Sequence, residues 1–595
     1  TLPNGEKVLR SWLAYSPSKA SLFCFCCRLF QNANSSNTPK FYSTDGFNTW
    51  WKLNPKVANH ELSTQHNENF CKWKELEKRL RKGQTIDKKQ QEVLAKETKK
   101  WHKVLTRMFD IIQFLAKQNL ALRGHREHLV RIKMGQNSSL TYMSPQIQNE
   151  FIEILGNKVR QKIIARIQKA KYYSIIFDST PDTSHKDQTS QVVRYVMIEN
   201  HEVRVEESFI DFIETKNKTA EGISDMIVSK LKADGLDIMN RRGQAYDNAA
   251  TMAGCHTGVQ QRIKDINPNA EFVPCSNHSL NLVCVHAASD HYKETITALE
   301  KLTETSESFN TRTDAGSLLV AMQSHSFLCY LGFWQPILCE VNDAQNYLQT
   351  EGLNIHQCAQ KIGALQAVLE AKREEFVNDA FKYTKRLCEE LEISLEPPRR
   401  IRRKHIFGDG SKNIQLSYED DLKRTFFSSI DRVSAEIRER FQQLQNLAQK
   451  YDFLRPEVIL SRDELNLDQA PQDINKEEFL LERVRLQAFV AATDSDCKKE
   501  ELIRSGSLSL LKYIIESKLE DGLPNIVIML RIFLTSAISN ASCERSFSKL
   551  KLIKNYLRST MSTLRLTNLA ILAIEHDIHI DIDNCIKDFA IKKIR

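Results

Sequence analysis

Helical and strand-like patterns alternate between residues 148 and 254, and this alternation constrains the fold more than any other feature. The segment QNEFIEILGNKVRQKIIARIQKA has apolar residues at helical spacing, and YYSIIFDST then predicts a short buried strand that ends at Asp178. Two β-rich segments, QVVRYVMIE and VRVEESFIDFIE, can pair as a hairpin around Asn200. A helix with a Thr cap and a closing Gly235 leads to a further strand with Asp247 at its end. The pattern predicts an α/β sheet with acids at strand ends.

The order helix, strand, strand, strand, helix, strand is that of an RNase H-like layer, in which loops at strand ends open onto a substrate. A third acid, Glu544, lies in the helix-like stretch SNASCERSFSKLK. If the fold brings Asp178, Asp247 and Glu544 together, they form a carboxylate cluster suited to Mg²⁺ or Mn²⁺. Phosphodiester cleavage and strand transfer use two such cations roughly 4 Å apart. Taken singly, an Asp at a strand end is more often a turn or cap residue, and a helical Glu is usually solvated.

Cysteine and histidine pairs near the start of the chain have the spacing of metal ligands. Cys24 and Cys27 form a C-x2-C pair, and His60 and His66 form an H-x5-H pair after a long interval. Thiolates and imidazoles in a set of four suit tetrahedral Zn²⁺, which stabilises small domains with little core of their own. Buried cysteines without a metal are the alternative, and Cys26 is a competitor for a ligand position.

Positive charge is concentrated in one segment. Between Lys72 and Arg107 there are thirteen Lys or Arg and five Asp or Glu, a surplus of +8 against +9 for the whole chain. Such a run suits contacts with phosphates, and the alternative is a solvated, partly helical linker. The candidate DNA-binding residues here are Lys78, Arg79, Arg81, Lys82, Lys99 and Lys100. A second cluster, PPRRIRRKH, predicts either a nuclear-localisation patch, and hence a nuclear protein, or an inert basic loop.

Composition excludes several classes of protein. The 595 residues are enough for about three to four domains, and 41% of them are hydrophobic, as in ordinary globular chains. The most apolar stretch, PNIVIMLRIFLTSAI, contains Arg531 and is shorter than the roughly 20 residues that span a bilayer, so no membrane segment is expected. The 14 cysteines are scattered, which favours a reducing compartment with local metal binding. The sequence begins at Thr1 without a visible signal peptide, and a fragment is one interpretation.

The N-terminal module resembles a known zinc finger. The run from RSWLAYSPSKASLFCFCCRLF through DGFNTWW to NHELSTQH is similar to the TTF-type finger that precedes many hAT-superfamily transposases and their host-domesticated relatives. This resemblance covers about the first seventy residues. It implies that Cys24, Cys27, His60 and His66 hold zinc and that the module binds DNA.

Three further blocks resemble the catalytic domain of hAT elements in the zinc finger MYM-type 1-like group. They are FDSTPDTSHKDQ, GQAYDNAATMAG and VPCSNHSLNLV. The resemblance implies that Asp178 and Asp247 are the first two metal-binding acids. It also implies that Cys275 and His278 lie beside the active site and help to engage DNA. For that pair the alternative is a capped helix start after Pro274.

The C-terminal block is the most specific match. LTSAISNASCERSFSKLKLIKNYLRSTMSTLRLTNLAILAIEHDI resembles the hAT dimerisation region, in which the Glu of SCERSFS, here Glu544, completes the catalytic triad. Its apolar residues predict a packing face toward the sheet and a partner subunit, with an intramolecular core as the alternative. They include Phe547, Leu550, Ile553, Leu557, Leu566, Leu569 and Leu572. Residues from about 320 to 520 have helical periodicity, which agrees with the all-helical insertion of hAT proteins.

Two departures from the family pattern concern activity. Thr313 stands where the family has a Trp that stacks on a flipped base, and Thr offers no such platform. The run near GHREHLVRIKMGQNSS is shortened, as in a domesticated or decaying element or a misjoined gene model. We therefore expect a DNA-binding, dimerising nuclear protein of transposase origin. The alternative is an active hAT transposase, and a third class, a helical scaffold, does not explain the acids.

The predicted fold is an α/β RNase H-like catalytic core interrupted by a large all-α insertion, with a small N-terminal zinc finger. The expected divisions are a finger at 1–75, a basic helical linker at 76–130, the first part of the core at 131–312, a helical insertion at 313–520, and the end of the core with the dimerisation region at 521–595. Expected partners are DNA and a second copy of the chain, as a homodimer or higher oligomer.

Overall fold

The computed structural model divides the chain into two compact units, Thr1–Arg107 and Met108–Arg595. It describes residues 5–7, 9–30, 40–81, 88–122, 144–246, 249–275, 292–305, 308–390, 417–493 and 496–594. The predicted site residues Lys82, Asp247 and His278 lie outside the described residues.

The first unit is built around a β-hairpin and short helices. Strands β1 (Leu13–Ser16) and β2 (Ser21–Cys24) pair antiparallel, and helices α1 (Phe25–Leu29), α2 (Leu53–Glu61) and α3 (Thr64–Arg81) follow. Helix α4 spans Lys88–Lys117. The core of the hairpin and of α1 and α2 is small, and its buried aromatic and cysteine side chains are Trp12, Cys24, Cys26, Cys27, Phe41, Tyr42 and Phe47.

The second unit contains a five-stranded mixed sheet. After α5 (Pro145–Ala170) come β3 (Tyr173–Pro181), β4 (Asp187–Glu199), β5 (Glu202–Glu214), α6 (Ala220–Ala233) and β6 (Arg241–Tyr246). Short helices α7 (Ala250–Ala253) and α8 (Val259–Ile266) precede β7 (Glu271–Pro274). The strand order is β5-β4-β3-β6-β7, and β4 is antiparallel to both of its neighbours, whereas β3, β6 and β7 run parallel. The predicted succession of helix and strands is confirmed for this region.

Local sequence signals place several boundaries of these elements. The predicted hairpin is confirmed: Glu199 pairs with Glu202, and Asn200 and His201 form the turn with φ of 51° and 65°. Thr219 caps α6 by accepting a hydrogen bond from the Gly222 amide at 3.1 Å. Gly235 follows that helix with φ of +70°, as its closing position requires.

One strand is longer than predicted. The sequence indicates a strand that ends at Asp178, but β3 continues to Pro181. The reason is the neighbouring strand, because β4 pairs with β3 through Ser190 opposite Asp178 and on to Asp187 opposite Pro181. Asp178 therefore lies within a paired strand and not at its end.

Helices cover the sheet. The described elements from Tyr292 to Ile594 are helical: α9 (Tyr292–Thr305), α10 (Phe309–Met322), α11 (His325–Leu348), α12 (Ile355–Ala371), α13 (Arg373–Glu390), α14 (Tyr418–Lys450), α15 (Pro456–Ile459), α16 (Lys476–Thr493), α17 (Asp496–Glu516), α18 (Pro524–Thr535), α19 (Ala541–Ile553), α20 (Thr563–Ile574) and α21 (Ile582–Ile594). Apolar side chains of the helices between α11 and α18 share one core with Val196, Val203 and Val273 of the sheet. Among the described helices, none is long and apolar enough to cross a membrane.

Candidate metal centre and acidic site

The four Cys and His residues predicted as zinc ligands are brought together in the first unit. Their ligand atoms all lie within 4.8 Å of one another, and all four residues are buried. Cys24 Sγ is 3.3 Å from His66 Nδ1, and Cys27 Sγ is 3.7 Å from His60 Nε2. Ser63 fixes the turn between the histidines, since its hydroxyl donates to the His60 carbonyl and accepts from the His66 amide.

Hydrogen bonds favour the thiolate form of Cys27 in this cluster. A hydrogen bond with Cys24 lowers the pKa of Cys27 to about 3, and His60 and His66 act in the same direction. The same contact with Cys27, together with burial, raises the pKa of the Cys24 thiol. Two soft sulfur and two imidazole donors in a closed, buried set suit a structural Zn²⁺ ion.

Cys26 is the third buried thiol near the cluster. Its Sγ lies 3.4 Å from Cys24 Sγ and 3.8 Å from His66 Nδ1. The set whose ligand atoms are all mutually close is nevertheless Cys24, Cys27, His60 and His66. Trp12 and Phe41 pack against the two histidine rings, with ring centroids 4.5 Å from His66 and 4.9 Å from His60. These ring contacts hold the two imidazoles in place on one side of the cluster.

In the second unit, helix α19, which contains Glu544, packs against strand β3, which contains Asp178. Cys543, the neighbour of Glu544, approaches the Ile176 carbonyl of β3 at 3.5 Å and the Ser190 carbonyl of β4 at 3.6 Å. The hydroxyl of Ser190, the residue opposite Asp178, lies 2.7 Å from that of Ser546. Burial raises the pKa of the Cys543 thiol, and the negative charge of Asp178 adds to this effect. The two acids therefore belong to one small region of the fold.

The ends of β6 and β7 meet the start of the same helix. Cys275, which follows β7, donates its backbone N–H to the carbonyl of Tyr246, the last residue of β6, at 3.0 Å. Its thiol donates to Oδ1 of Asn540, which precedes α19, at 2.6 Å. Cys275 is fully buried, so its side chain supports α19 from inside the protein. Tyr246 directly precedes Asp247 in the sequence, so β6 leads toward the same region.

Two groups of ionic contacts that hold α19 are not evident from the sequence. At its end, Lys554 forms an ion pair of 2.6 Å with Asp182 in the β3–β4 turn, and both side chains are at most 3% exposed. At its start, Arg545 lies 3.8 Å from Glu207 on β5 and 3.2 Å from Glu351 between α11 and α12. Asp182 stands in the FDSTPDTSHKDQ block, but no spacing rule indicates a partner 372 positions away.

Arg194 is a buried residue that donates hydrogen bonds to three separate parts of the second unit. Its guanidinium donates to Glu207 at 2.7 Å, to the Leu534 carbonyl at 3.0 Å and to the Leu353 carbonyl at 2.6 Å. The side chain is 1% exposed. Because a buried charge is costly unless it is paired and hydrogen-bonded, this network fixes β4, β5 and the end of α18 relative to one another.

The described residues among the predicted cations lie on α3 and on the part of α4 that belongs to the first unit. Arg79 and Arg81 pair with Glu75 and Glu77 one turn earlier on α3, and Lys78 lies in the same last turn. Lys99 and Lys100 on α4 line an open cavity of about 410 Å³ with three further cations of that helix, Lys96, Lys103 and Arg107. Glu97 lies 3.6 Å from Lys100. The spacing of these cations places them along one side of α4.

The apolar residues predicted for the dimerisation face are mostly buried within the chain. Exposure is at most 7% for Phe547, Leu550, Ile553, Leu566, Leu569 and Leu572, while the Leu557 side chain lies outside the described part. These residues form intramolecular core, the alternative stated above. Exposed apolar side chains on and between the same helices are Leu552, Tyr556 and Leu564, at 54%, 91% and 62%.

Two protein-family models match separate parts of this chain. A family model described as "ZMYM1/FAM200, RNase-like domain" matches residues 40–136 and 129–258. A model of the hAT family C-terminal dimerisation region matches residues 494–578, which include α19 and α20.

Two kinds of relative are found among curated proteins. The human "52 kDa repressor of the inhibitor of the protein kinase" is 22% identical over 600 aligned residues, which cover 82% of this chain and 76% of that protein. Zinc finger MYM-type protein 5 of Macaca fascicularis is 41% identical over 86 residues, or 14% of this chain and 12% of that protein. These matches confirm the resemblance stated from the sequence and support a hAT-derived protein of the zinc finger MYM-type group.

Proposed function

We propose that this protein is a DNA-binding, dimerising nuclear protein that descends from a hAT transposase. The observation that carries the proposal is the continuity of α3, which holds His66 in its first turn and Lys78, Arg79 and Arg81 in its last. A Zn²⁺ ion held by Cys24, Cys27, His60 and His66 would fix the start of that helix. It would thereby orient the cations at the other end, and α4 carries a second basic set.

The zinc site supports this proposal through the chemistry of its donors. Its four ligand atoms are buried and close together, and the unit around them has only a small hydrophobic core. Zn²⁺ binding would supply the folding free energy that this core lacks. The paired acids on α3 limit the charge that Arg79 and Arg81 present, whereas Lys99, Lys103 and Arg107 form no ion pair with a described residue.

DNA binding is tested with zinc-loaded full-length protein and a labelled duplex at several salt concentrations. Each lysine that neutralises a phosphate contributes about 0.9 to the slope of log K against log salt. We expect Lys99→Gln with Lys103→Gln to lower that slope by about 2 and Lys382→Gln to leave it unchanged, because Lys382 is an exposed lysine of the second unit. No duplex binding by the wild-type protein, or equal slopes for all variants, would refute the proposal.

Metal-dependent strand cleavage is the second candidate function. It is favoured by the packing of α19 on β3 and β4, which brings Glu544 and Asp178 into one region beside the end of β6. Both side chains are partly exposed, as metal-binding acids at a substrate site must be. Divalent cations there would activate the attacking oxygen and stabilise the leaving oxygen. An RNase H-like core with Asp178, Asp247 and Glu544 as its acids, interrupted by the helical segment, is part of this candidate.

Position 313 argues against that activity. Thr313 lies in the first turns of α10, and its hydroxyl donates to the Phe309 carbonyl one turn earlier at 3.0 Å. It therefore offers no aromatic ring to a flipped base. A cleavage assay with Mg²⁺ or Mn²⁺ decides between the candidates: metal-dependent cutting that is lost in both Asp178→Ala and Glu544→Ala would establish the enzyme. Equal signals from wild type and both variants would exclude it.

A further inference from the structure

The first unit has an open cavity beside the two histidines of the metal cluster. Its volume is about 520 Å³, and its lining includes Tyr42, Phe47, His60 and His66. One water molecule occupies about 30 Å³ in the liquid, so the cavity is far larger than a single metal ion needs. Tyr42 is held in place because its hydroxyl donates to Gln65 at 2.9 Å. The cavity is thus a formed recess with room for a ligand the size of a nucleotide.

The charge around this cavity is positive. Lys40, Lys52 and Lys56 contribute to its lining, and none of its described lining residues carries a carboxylate. None of the three lysines forms an ion pair with an acid in the part of the chain that the structure describes. An anionic ligand would therefore gain attraction from three cations, with no acid among the described lining residues to compete with it.

Exposed aromatic side chains stand next to the lysines. Trp50 and Trp51 share a 3-10 turn with Lys52, and their side chains are 45% and 80% exposed. Tyr15, which is 56% exposed, contacts Trp50 edge-to-face with centroids 5.9 Å apart. Trp is highly buried in most proteins, so an 80% exposed indole next to cations indicates a surface that a flat partner covers.

We propose that this Lys–Trp surface, formed by Lys40, Lys52, Lys56, Trp50 and Trp51, binds an unpaired segment of a DNA strand. The lysines would contact its phosphates, and Trp51 would stack on a base. The proposal rests on the DNA-binding function proposed above and names the form of DNA that this surface takes. A paired duplex keeps its bases stacked inside, whereas the bases of a single strand are free to stack on an aromatic ring.

The test uses zinc-loaded full-length protein and fluorescence anisotropy of a labelled oligothymidylate of about 12 nucleotides, within the usual range of site sizes. We expect Trp51→Ala to weaken binding about tenfold or more and Trp51→Phe to restore most of it, since one stacked base makes a contribution of that size. Tyr556→Ala removes an aromatic side chain of the second unit that is also highly exposed, and it should leave binding unchanged. A labelled duplex of the same length should bind Trp51→Ala within about twofold of wild type.

A second variant tests the charges independently. Lys52→Gln with Lys56→Gln should lower the salt slope for the single strand by about 1.4, at 0.7 for each phosphate contact. Zinc content checks that the variants are folded. Unchanged single-strand affinity in Trp51→Ala would overturn this inference. Tighter binding of the RNA strand oligouridylate than of oligothymidylate would also overturn it. Either result would leave duplex binding, and so the proposed function, intact. Failure of wild type to bind any DNA would overturn both.

Discussion

At the scale of single residues, the Cys and His cluster shows how closely spaced cysteines differ in role. Cys24 ends β2, and Cys26 and Cys27 lie in the first turn of α1, so three thiols reach one buried space. Only Cys24 and Cys27 belong with the histidines to the set of mutually close ligand atoms. The sequence alone leaves Cys26 as a competitor for a ligand position, because its distance along the chain does not reveal the direction of its side chain.

Replacing these cysteines one at a time tests the ligand set. We expect Cys27→Ala and His66→Ala to abolish stoichiometric zinc binding and the fold of the first unit, because a structural site contributes folding free energy directly. Cys26→Ala should keep about one zinc per chain. Zinc content by atomic absorption and circular dichroism measure both effects. Cys71→Ala, at an exposed cysteine of α3, is the matched control. Loss of zinc in Cys26→Ala with retention in Cys24→Ala would assign the ligands differently.

A second residue-scale effect concerns pH. Glu575 is partly buried at the end of α20 and accepts the Phe209 N–H at 2.6 Å. Burial raises its pKa from 4.5 to about 7, and the charges of Glu206 and Asp577 act the same way, whereas the Phe209 N–H and Arg166 lower it. Between these two pH values the folded state holds a proton that the unfolded state has lost. Stability contributed by this group is therefore present at low pH and is lost as the pH rises from about 4.5 through 7.

The variant Glu575→Gln should lack this loss, because its amide stays neutral and can still accept the Phe209 N–H. We expect its free energy of unfolding to match wild type near pH 4 and to exceed it by about 3 kcal/mol at pH 8, given 1.36 kcal/mol per pKa unit. Chemical unfolding of the second unit at a series of pH values measures the difference. Glu439→Gln, at an exposed glutamate of α14, should change neither curve. Parallel curves for wild type and Glu575→Gln would contradict the assignment.

At the scale of elements, α19 is held at both ends by contacts to distant parts of the chain. Asn540 and Arg545 tie its start to Cys275 and Glu207, and Lys554 ties its end to Asp182. Burial alone would raise the pKa of Asp182, but the hydrogen bonds from Lys554 and two backbone amides outweigh it and lower the pKa. The ion pair therefore sets the position of the helix that carries Glu544 along the strand that carries Asp178.

Breaking this buried pair should be strongly destabilising. We expect Lys554→Ala to lower the free energy of unfolding of the second unit by about 3–5 kcal/mol, because it leaves a buried carboxylate without its counter-charge. Removing both charges, in Asp182→Asn with Lys554→Met, should cost less than Lys554→Ala alone. Urea unfolding of the wild type and of both variants measures these losses. The exposed pair Lys382–Asp379 is the control, and its removal should cost less than about 1 kcal/mol. An equally small loss for Lys554→Ala would show that the pair does not hold α19.

The same elements show what the sequence can predict. The β4–β5 hairpin and the limits of α6 depend on signals within a few residues, such as the turn at Asn200 and the Thr219 cap, and both were predictable. The length of β3 depends on pairing with β4, so the apolar run alone predicts an early end. The contacts of α19 with Ser190, Cys275 and Asp182 join residues more than 250 positions apart, and no local pattern contains them. Family resemblance placed Glu544 with Asp178, whereas residue patterns could only nominate each acid separately.

At the scale of the whole molecule, two units of different stability follow from their cores. The first unit depends on a small aromatic core around a Cys and His cluster, while the second has an extensive core that joins helices and sheet. Removal of zinc should therefore unfold the first unit and leave the second unchanged. The C-terminal region that matches the hAT dimerisation model belongs entirely to the second unit, so self-association should not require the metal.

Dimerisation can be separated from folding by comparing exposed and buried leucines of that region. Leu552 and Leu564 are more than half exposed, whereas Leu550 and Leu569 are at most 7% exposed. If the exposed pair contacts a second copy, Leu552→Lys with Leu564→Lys should shift a dimer to monomer in analytical ultracentrifugation, because a charge is poorly tolerated in an apolar interface. The free energy of unfolding of the monomer should change little, since both positions face solvent there.

Leu569→Ala should have the opposite effect, lowering stability without preventing dimerisation. It should lower the stability of the second unit by about 2–5 kcal/mol, through lost apolar contacts and the cavity that remains. At a concentration well above the dissociation constant and under native conditions, its sedimentation should still be that of a dimer. A monomeric Leu569→Ala protein that is fully folded, beside a dimeric Leu552→Lys, Leu564→Lys protein, would place the interface on the buried face instead. Because α20 packs between α5 and β5, that result would require the helix to leave the sheet when the dimer forms.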